Sequence, residues 1–83
     1  MGVRGYVLIE SEVGKAKLVR SSIKNFSYEG ARVVNVDTVT GPFDVIVLLE
    51  ADDLDVLGNA ITEVIQQEPG VQKTTTCLAV NFS

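Results

Sequence analysis

Two apolar stripes with the same spacing govern what this chain can fold into. Ala16, Val19, Ile23 and Phe26 recur at intervals of three, four and three residues, and so do Leu54, Leu57, Ile61 and Val64. Residues three and four apart share one face of an α-helix, so each set predicts an amphipathic helix. A glycine follows each stripe, at positions 30 and 70, and a run of β-branched residues follows each glycine. The chain thus carries one strand–helix–strand unit twice, offset by about forty residues, and reads as a single split repeat rather than two domains.

The boundaries follow from local chemistry. Val3 to Glu10 is apolar and β-branched and predicts the first strand, with Glu10-Ser11-Glu12 turning away from it. The first helix is expected from about Val13 to Phe26, with Ser11 as N-cap, its basic residues toward the C-terminal half, where the macrodipole favours them, and Tyr28-Glu29-Gly30 closing it. Ala31 to Thr40 and Phe43 to Glu50 predict two strands joined through Gly41-Pro42, close enough to form an antiparallel hairpin. Asp52-Asp53 opens a second helix reaching about Gln67, in which Gly58 costs about 1 kcal/mol relative to alanine. Glu68-Pro69-Gly70 stops that helix, and Val71 to Phe82 predicts the fourth strand. Right-handed crossovers put both helices on one face of a four-stranded antiparallel sheet, the ferredoxin-like βαββαβ arrangement of the α+β class, with residues 1–83 as one domain.

Two helices cover only one sheet face, and the other face does not read as polar. Val45, Val47 and Leu49 oppose Ile46 and Leu48, Val7 and Ile9 oppose Tyr6 and Leu8, and Val33 opposes Val34 and Val36. An apolar face of that extent predicts a second sheet packed against it, and hence a homodimer at least; the competing account is a set of central, strongly twisted strands.

Composition narrows the chemistry. There is no histidine and one cysteine, Cys77, so an internal disulfide and the usual zinc, copper and haem ligand sets are unavailable, and no cofactor is expected. A net charge of −4 with only seven scattered Lys and Arg argues against direct nucleic-acid or membrane-surface binding. Tyr6 and Phe43 lack the basic setting of an RNA-stacking sheet. The opening Met1-Gly2-Val3-Arg4 has no leader pattern, and no apolar run is long enough to span a bilayer, so a soluble, cytoplasmic protein is expected.

The catalytic inventory is thin. No serine or cysteine has a recognisable partner, Cys77 alternates with apolar neighbours as a small core residue would, and Asp52, Asp53 and Asp55 suit a helix N-terminus better than a metal loop. Two elements can hold a small polar ligand. In Thr40-Gly41-Pro42-Phe43-Asp44 a glycine permits a tight turn with backbone amides left for a charged group. In Thr74-Thr75-Thr76 the first and third hydroxyls share a face, about 7 Å apart. Taken singly, a bare hairpin turn and β-propensity are the better accounts of each.

Taken together, Gly-Pro-Phe-Asp before an apolar strand, a helix leading to Glu-Pro-Gly-Val, and a Thr-x-Thr strand resemble the effector-binding domain of the Lrp/AsnC transcription regulators, from about Arg4 to Val80. This is the domain for regulation of amino acid metabolism (RAM). The resemblance implies a non-enzymatic module whose sheets pair into dimers that assemble into octamers or decamers, with an amino acid effector bound at subunit interfaces. It implies Gly41, Pro42, Phe43 and Asp44 as the effector loop and Thr74 and Thr76 as hydroxyls of the last strand. Backbone amides and hydroxyls would satisfy the effector's carboxylate, with carbonyls or Asp44 taking its ammonium group. The regulators carry an N-terminal helix-turn-helix, and this chain starts at the first strand, so a stand-alone form is expected, acting alone or by co-assembly with full-length regulators. Two alternatives share the element order. One is a small dimeric α+β barrel enzyme, a cofactor-free monooxygenase or isomerase, with Asn35 and Asp37 facing a pocket between sheet and helices; the other is an amino-acid-binding domain of the type attached to metabolic enzymes.

Overall fold

A computed structural model describes residues 2–80. Its elements are β1 (Val3–Ser11), α1 (Ala16–Lys24), β2 (Ala31–Thr38), β3 (Val45–Ala51), α2 (Leu54–Glu63), a 3₁₀ turn (Ile65–Gln67) and β4 (Val71–Leu78). The four strands form one antiparallel sheet in the order β2-β3-β1-β4, which is the expected ferredoxin-like arrangement. β2 and β3 form the hairpin anticipated around Gly41-Pro42.

The core lies between the sheet and the two helices. Val7 and Ile9 of β1 and Val45, Val47, Leu49 and Ala51 of β3 are buried against Val19 and Ile23 of α1 and Leu57, Ala60 and Ile61 of α2. Gly5 belongs to the same row, because a Cβ there would stand 3.1 Å from Leu57 Cδ2. Burial of these branched side chains, roughly 1.5–3 kcal/mol each for the larger ones, is the main drive for the fold.

Several boundaries move inward, each for a local reason. Ser11 does not cap α1. It ends β1, and the helix starts after Lys15, which makes no side-chain cap bond. Residues 12–15 are instead drawn into a loop, where the Glu12 N–H donates to the Gly70 carbonyl at 2.8 Å and Gly14 takes φ +78°. α2 opens as its acidic start implies: Asp53 Oδ1 accepts the Val56 N–H at 2.8 Å. Its far end tightens into the 3₁₀ turn before Pro69, whose ring forces Glu68 into an extended conformation. β2 and β3 stop short of the predicted Thr40 and begin beyond the predicted Phe43, leaving residues 39–44 as the hairpin connection. β4 ends at Leu78; the rest of the strand predicted to Phe82 includes residues outside those described.

Both edge strands contain a bulge. Val33 pairs with Leu49 and Asn35 with Leu48, so Val34 is the extra residue of β2. Val33 and Val36 therefore face the helices together, rather than lying on opposite faces as simple alternation predicted, and Val34 is left exposed. In β4 the register shifts where Lys73 pairs with Glu10 and Val71 with Ser11, making Gln72 the extra residue.

The face away from the helices carries Tyr6, Leu8, Ile46 and Leu48 in its centre, with Tyr6 43% exposed and the other three half-buried. Cys77 lies beside Tyr6 on this face and is exposed, so it is not the core residue its apolar neighbours suggested. β4 is an outermost strand, and only the helix-side row of such a strand reaches the core. No helix among the described residues is long and apolar enough to cross a membrane.

Candidate functional site

The hairpin connection is anchored by its last residue. Asp44 donates its N–H to the Ile9 carbonyl and accepts the Val39 N–H through its own carbonyl, both at 2.8 Å. Its side chain reaches further, and Oδ2 accepts the Ser11 N–H at 2.8 Å in a half-buried setting. Asp44 thus ties the connection to the last residue of β1, beyond Ile9, where the pairing of β1 with β3 ends. Gly41 has φ +144° with open space around its missing Cβ, so the glycine there serves backbone geometry. Pro42 is exposed and Phe43 half-buried beside it.

The threonines lie across β1 from this connection. Ile9 has Val45 on one side and Thr74 on the other, and Val7 has Val47 and Thr76. Thr74 and Thr76 share the helix side of the sheet, as their spacing predicted. The Thr74 hydroxyl accepts a hydrogen bond from Gln66 Nε2 at 3.0 Å, whereas Thr76 is exposed and its hydroxyl makes no hydrogen bond with another described residue. Asp44 and Thr74 thus flank the same end of β1, two strand spacings apart, or roughly 10 Å.

A hollow of about 390 Å³ opens beside Thr74, lined also by Gln66, Gln67, Val71, Gln72 and Lys73. The four residues from Gly41 to Asp44 do not line it. One copy of the chain therefore places Gly41 to Asp44 and Thr74 at one end of the sheet and Thr76 opposite the middle of β1, without closing the six predicted ligand residues into one cavity. The amide side chains around Thr74 escaped sequence reading, because only the 3₁₀ turn and the bulge at Gln72 turn them toward a common space.

A larger hollow, about 640 Å³, lies at the other end of the sheet. Its wall is a charged row running across three strands. Glu50 Oε2 accepts Arg4 Nε at 3.0 Å, and Oε1 accepts Arg32 Nε at 3.0 Å and Nη2 at 2.8 Å. The hydrogen bonds from Arg4 and Arg32 hold the Glu50 carboxyl below the usual glutamate range. Elsewhere, burial together with the neighbouring Glu63 carboxylate, 3.3 Å from the hydroxyl, raises Tyr28 above the ordinary phenol value.

The residues named for the enzyme alternative do not face a pocket between sheet and helices. Asn35 and Asp37 pair with Leu48 and Ile46 on the uncovered face, are exposed, and hydrogen-bond each other at 3.1 Å. The bulge at Val34 sets that orientation. Among the described residues no three His, Cys, Asp or Glu side chains cluster as a metal site would require.

Comparison with known proteins follows the same lines. The sequence pattern of the Lrp/AsnC ligand binding domain matches residues 6–82. No curated protein matches the chain by sequence. Among solved structures, FFRP-DM1 is 31% identical with a TM-score of 0.83, over 94% of this chain and 99% of that one. TTHA0845 from Thermus thermophilus is 27% identical with a TM-score of 0.84, over 98% and 96%. The transcriptional regulator NMB0573 of Neisseria meningitidis, solved in complex with L-Met, shares the fold at 11% identity and a TM-score of 0.77, over 95% of this chain and 50% of that one. With the family pattern spanning nearly all of the βαββαβ unit, the chain belongs to the Lrp/AsnC ligand-binding domain family.

Proposed function

We propose that this chain is an oligomeric, non-catalytic effector-binding module that senses an amino acid and acts in transcription regulation. The observation that carries this reading is the placing of the Gly41–Asp44 connection and of Thr74 at the same end of β1, within a domain of this family. The backbone of Gly41 to Phe43 supplies amides and carbonyls for a zwitterion, and Thr74 and Thr76 supply hydroxyls. Asp44 acts first as a clasp for the loop, since one carboxylate oxygen already serves Ser11. The L-Met bound to the Neisseria regulator supports an amino acid as the effector class.

The two halves of the site stand apart within one copy, which favours completion by a second copy. Tyr6, Leu8, Ile46 and Leu48 offer an apolar sheet face for self-association into a dimer, with higher assemblies built from dimers.

A thermal-shift screen of the twenty amino acids, combined with sedimentation equilibrium, tests the proposal. Stabilisation by one or a few amino acids, lost in Thr76→Val and accompanied by a change of assembly size, is the expected result. A monomer indifferent to every amino acid would overturn it.

A further inference from the structure

The hollow at the Arg4 end of the sheet lies beside a charged row. Gly2 and Gly30 both line it. A Cβ at Gly2 would stand 2.9 Å from the Ala51 carbonyl oxygen, and one at Gly30 would stand 3.1 Å from Asp52 Oδ2. Neither position takes a side chain without displacing its neighbours. Its volume, about 640 Å³, lies within the range of small-molecule sites.

The charges around it are arranged unequally. Arg4 and Arg32 share the single carboxylate of Glu50, through Nε on Arg4 and through Nε and Nη2 on Arg32. That leaves both Nη groups of Arg4 and Nη1 of Arg32 with N–H donors unused by the row, on guanidinium groups whose orientation Glu50 already fixes. Asp52 also lines the recess. Its backbone N–H is bound to the Gly30 carbonyl at 2.9 Å, while its carboxylate makes no hydrogen bond or ion pair with another described residue. Two guanidinium groups with one shared counter-ion carry a surplus positive charge, and Asp52 carries a separate negative one.

We propose that this recess binds a small bipolar molecule, with an anionic group on the free donors of Arg4 and Arg32 and a cationic group on Asp52. A simple anion gains at the arginines and loses at Asp52, and a simple cation does the reverse; only a molecule with both charges satisfies both walls. The row is preorganised, so little side-chain ordering opposes binding. The site is separate from the one proposed above. Arg4 and Ile9 are five residues apart along β1, roughly 16 Å, and either site can fail without the other.

The test is a titration of the ¹⁵N-labelled protein with glycine, β-alanine and 4-aminobutyrate, and with acetate and methylammonium as the separated charges. The signals followed are the backbone amides of Gly30 and Asp52 and the Nε–H groups of Arg4 and Arg32. At least one zwitterion is expected to shift these signals saturably, with a Kd at least tenfold below that of acetate or methylammonium. Asp52→Asn, which keeps the shape of the side chain, and Arg32→Gln should each weaken that binding at least fivefold, and Thr76→Val should leave it unchanged. Acetate binding as tightly as the best zwitterion, full affinity in Asp52→Asn, or no saturable shift with any of the three zwitterions would each overturn the proposal.

Discussion

The Asp44 carboxylate and the Ser11 backbone N–H, 33 residues apart in sequence, meet at 2.8 Å and fasten the hairpin connection to the end of β1. A hydrogen bond from a half-buried donor to a charged acceptor contributes about 1.5–3 kcal/mol, and no residue of β3 pairs with Ser11 to take over. Asp44→Ala is therefore expected to lower stability by about 2 kcal/mol in urea denaturation and to speed hydrogen exchange at the Ser11 amide. Asp44→Asn, whose amide oxygen can still accept, should recover much of the loss. Unchanged exchange at Ser11 in Asp44→Ala would refute the clasp.

Two glycine substitutions should act in opposite directions. Gly70 has φ +95°, and a Cβ there would lie 3.0 Å from both Lys15 Cβ and Val19 Cγ2, so Gly70→Ala should cost more than about 1 kcal/mol. Gly58 is an exposed residue inside α2 with nothing near its missing Cβ, and Gly58→Ala should add about 0.5–1 kcal/mol. Thermal unfolding of the two variants side by side checks both signs.

The α2 cap gives a third expectation. Asp53→Ala removes the acceptor for the Val56 N–H and should destabilise the protein by about 1 kcal/mol, whereas Asp53→Ser should be nearly neutral. Equal losses in the two variants, measured by chemical denaturation, would show that the cap bond is not the source.

Glu50 makes stability depend on pH. Its folded-state pKa is lowered by Arg4 and Arg32, so the unfolded chain takes up a proton more readily than the folded one. The contribution is complete above the unfolded value, about 4.3, and disappears as pH falls through the folded value. Both arginines are more than half exposed, so salt weakens the effect. Glu50→Gln should flatten the acid limb of the stability profile at low salt and change little at neutral pH beyond the loss of the two ion pairs.

The apolar face of the sheet supplies the last expectation. Leu48→Asp should leave the secondary structure intact, because Leu48 faces away from the helices, and should shift any assembly toward monomer in sedimentation equilibrium. A variant that assembles as the parent does would show that this face is not the contact.

The spacing of Ala16, Val19 and Ile23, and of Leu54, Leu57 and Ile61, was enough to read both helices, because a helix face is a property of one segment alone. Strand faces were less legible. Val33 and Val36 face the same way only because Leu49 and Leu48 fix the pairing on either side of Val34, and no local pattern in β2 records that. Cys77 and the pair Asn35 and Asp37 were misplaced for the same kind of reason: their surroundings depend on strand order and register. The loop and threonine motifs were visible as sequence, but the clasp from Asp44 to Ser11 and the amide groups around Thr74 arise from long-range contacts.

The bulges at Val34 and Gln72 have a consequence for how copies of this chain meet. β2 and β4 are the two open edges of the sheet, and an unbroken edge is a template on which another molecule's strand can add without limit. An extra residue in each edge interrupts the run of evenly spaced donors and acceptors and bends it locally. Edge-to-edge growth into fibrils is disfavoured at both sides, so a protein with an apolar sheet face can associate through that face and still form assemblies of finite size.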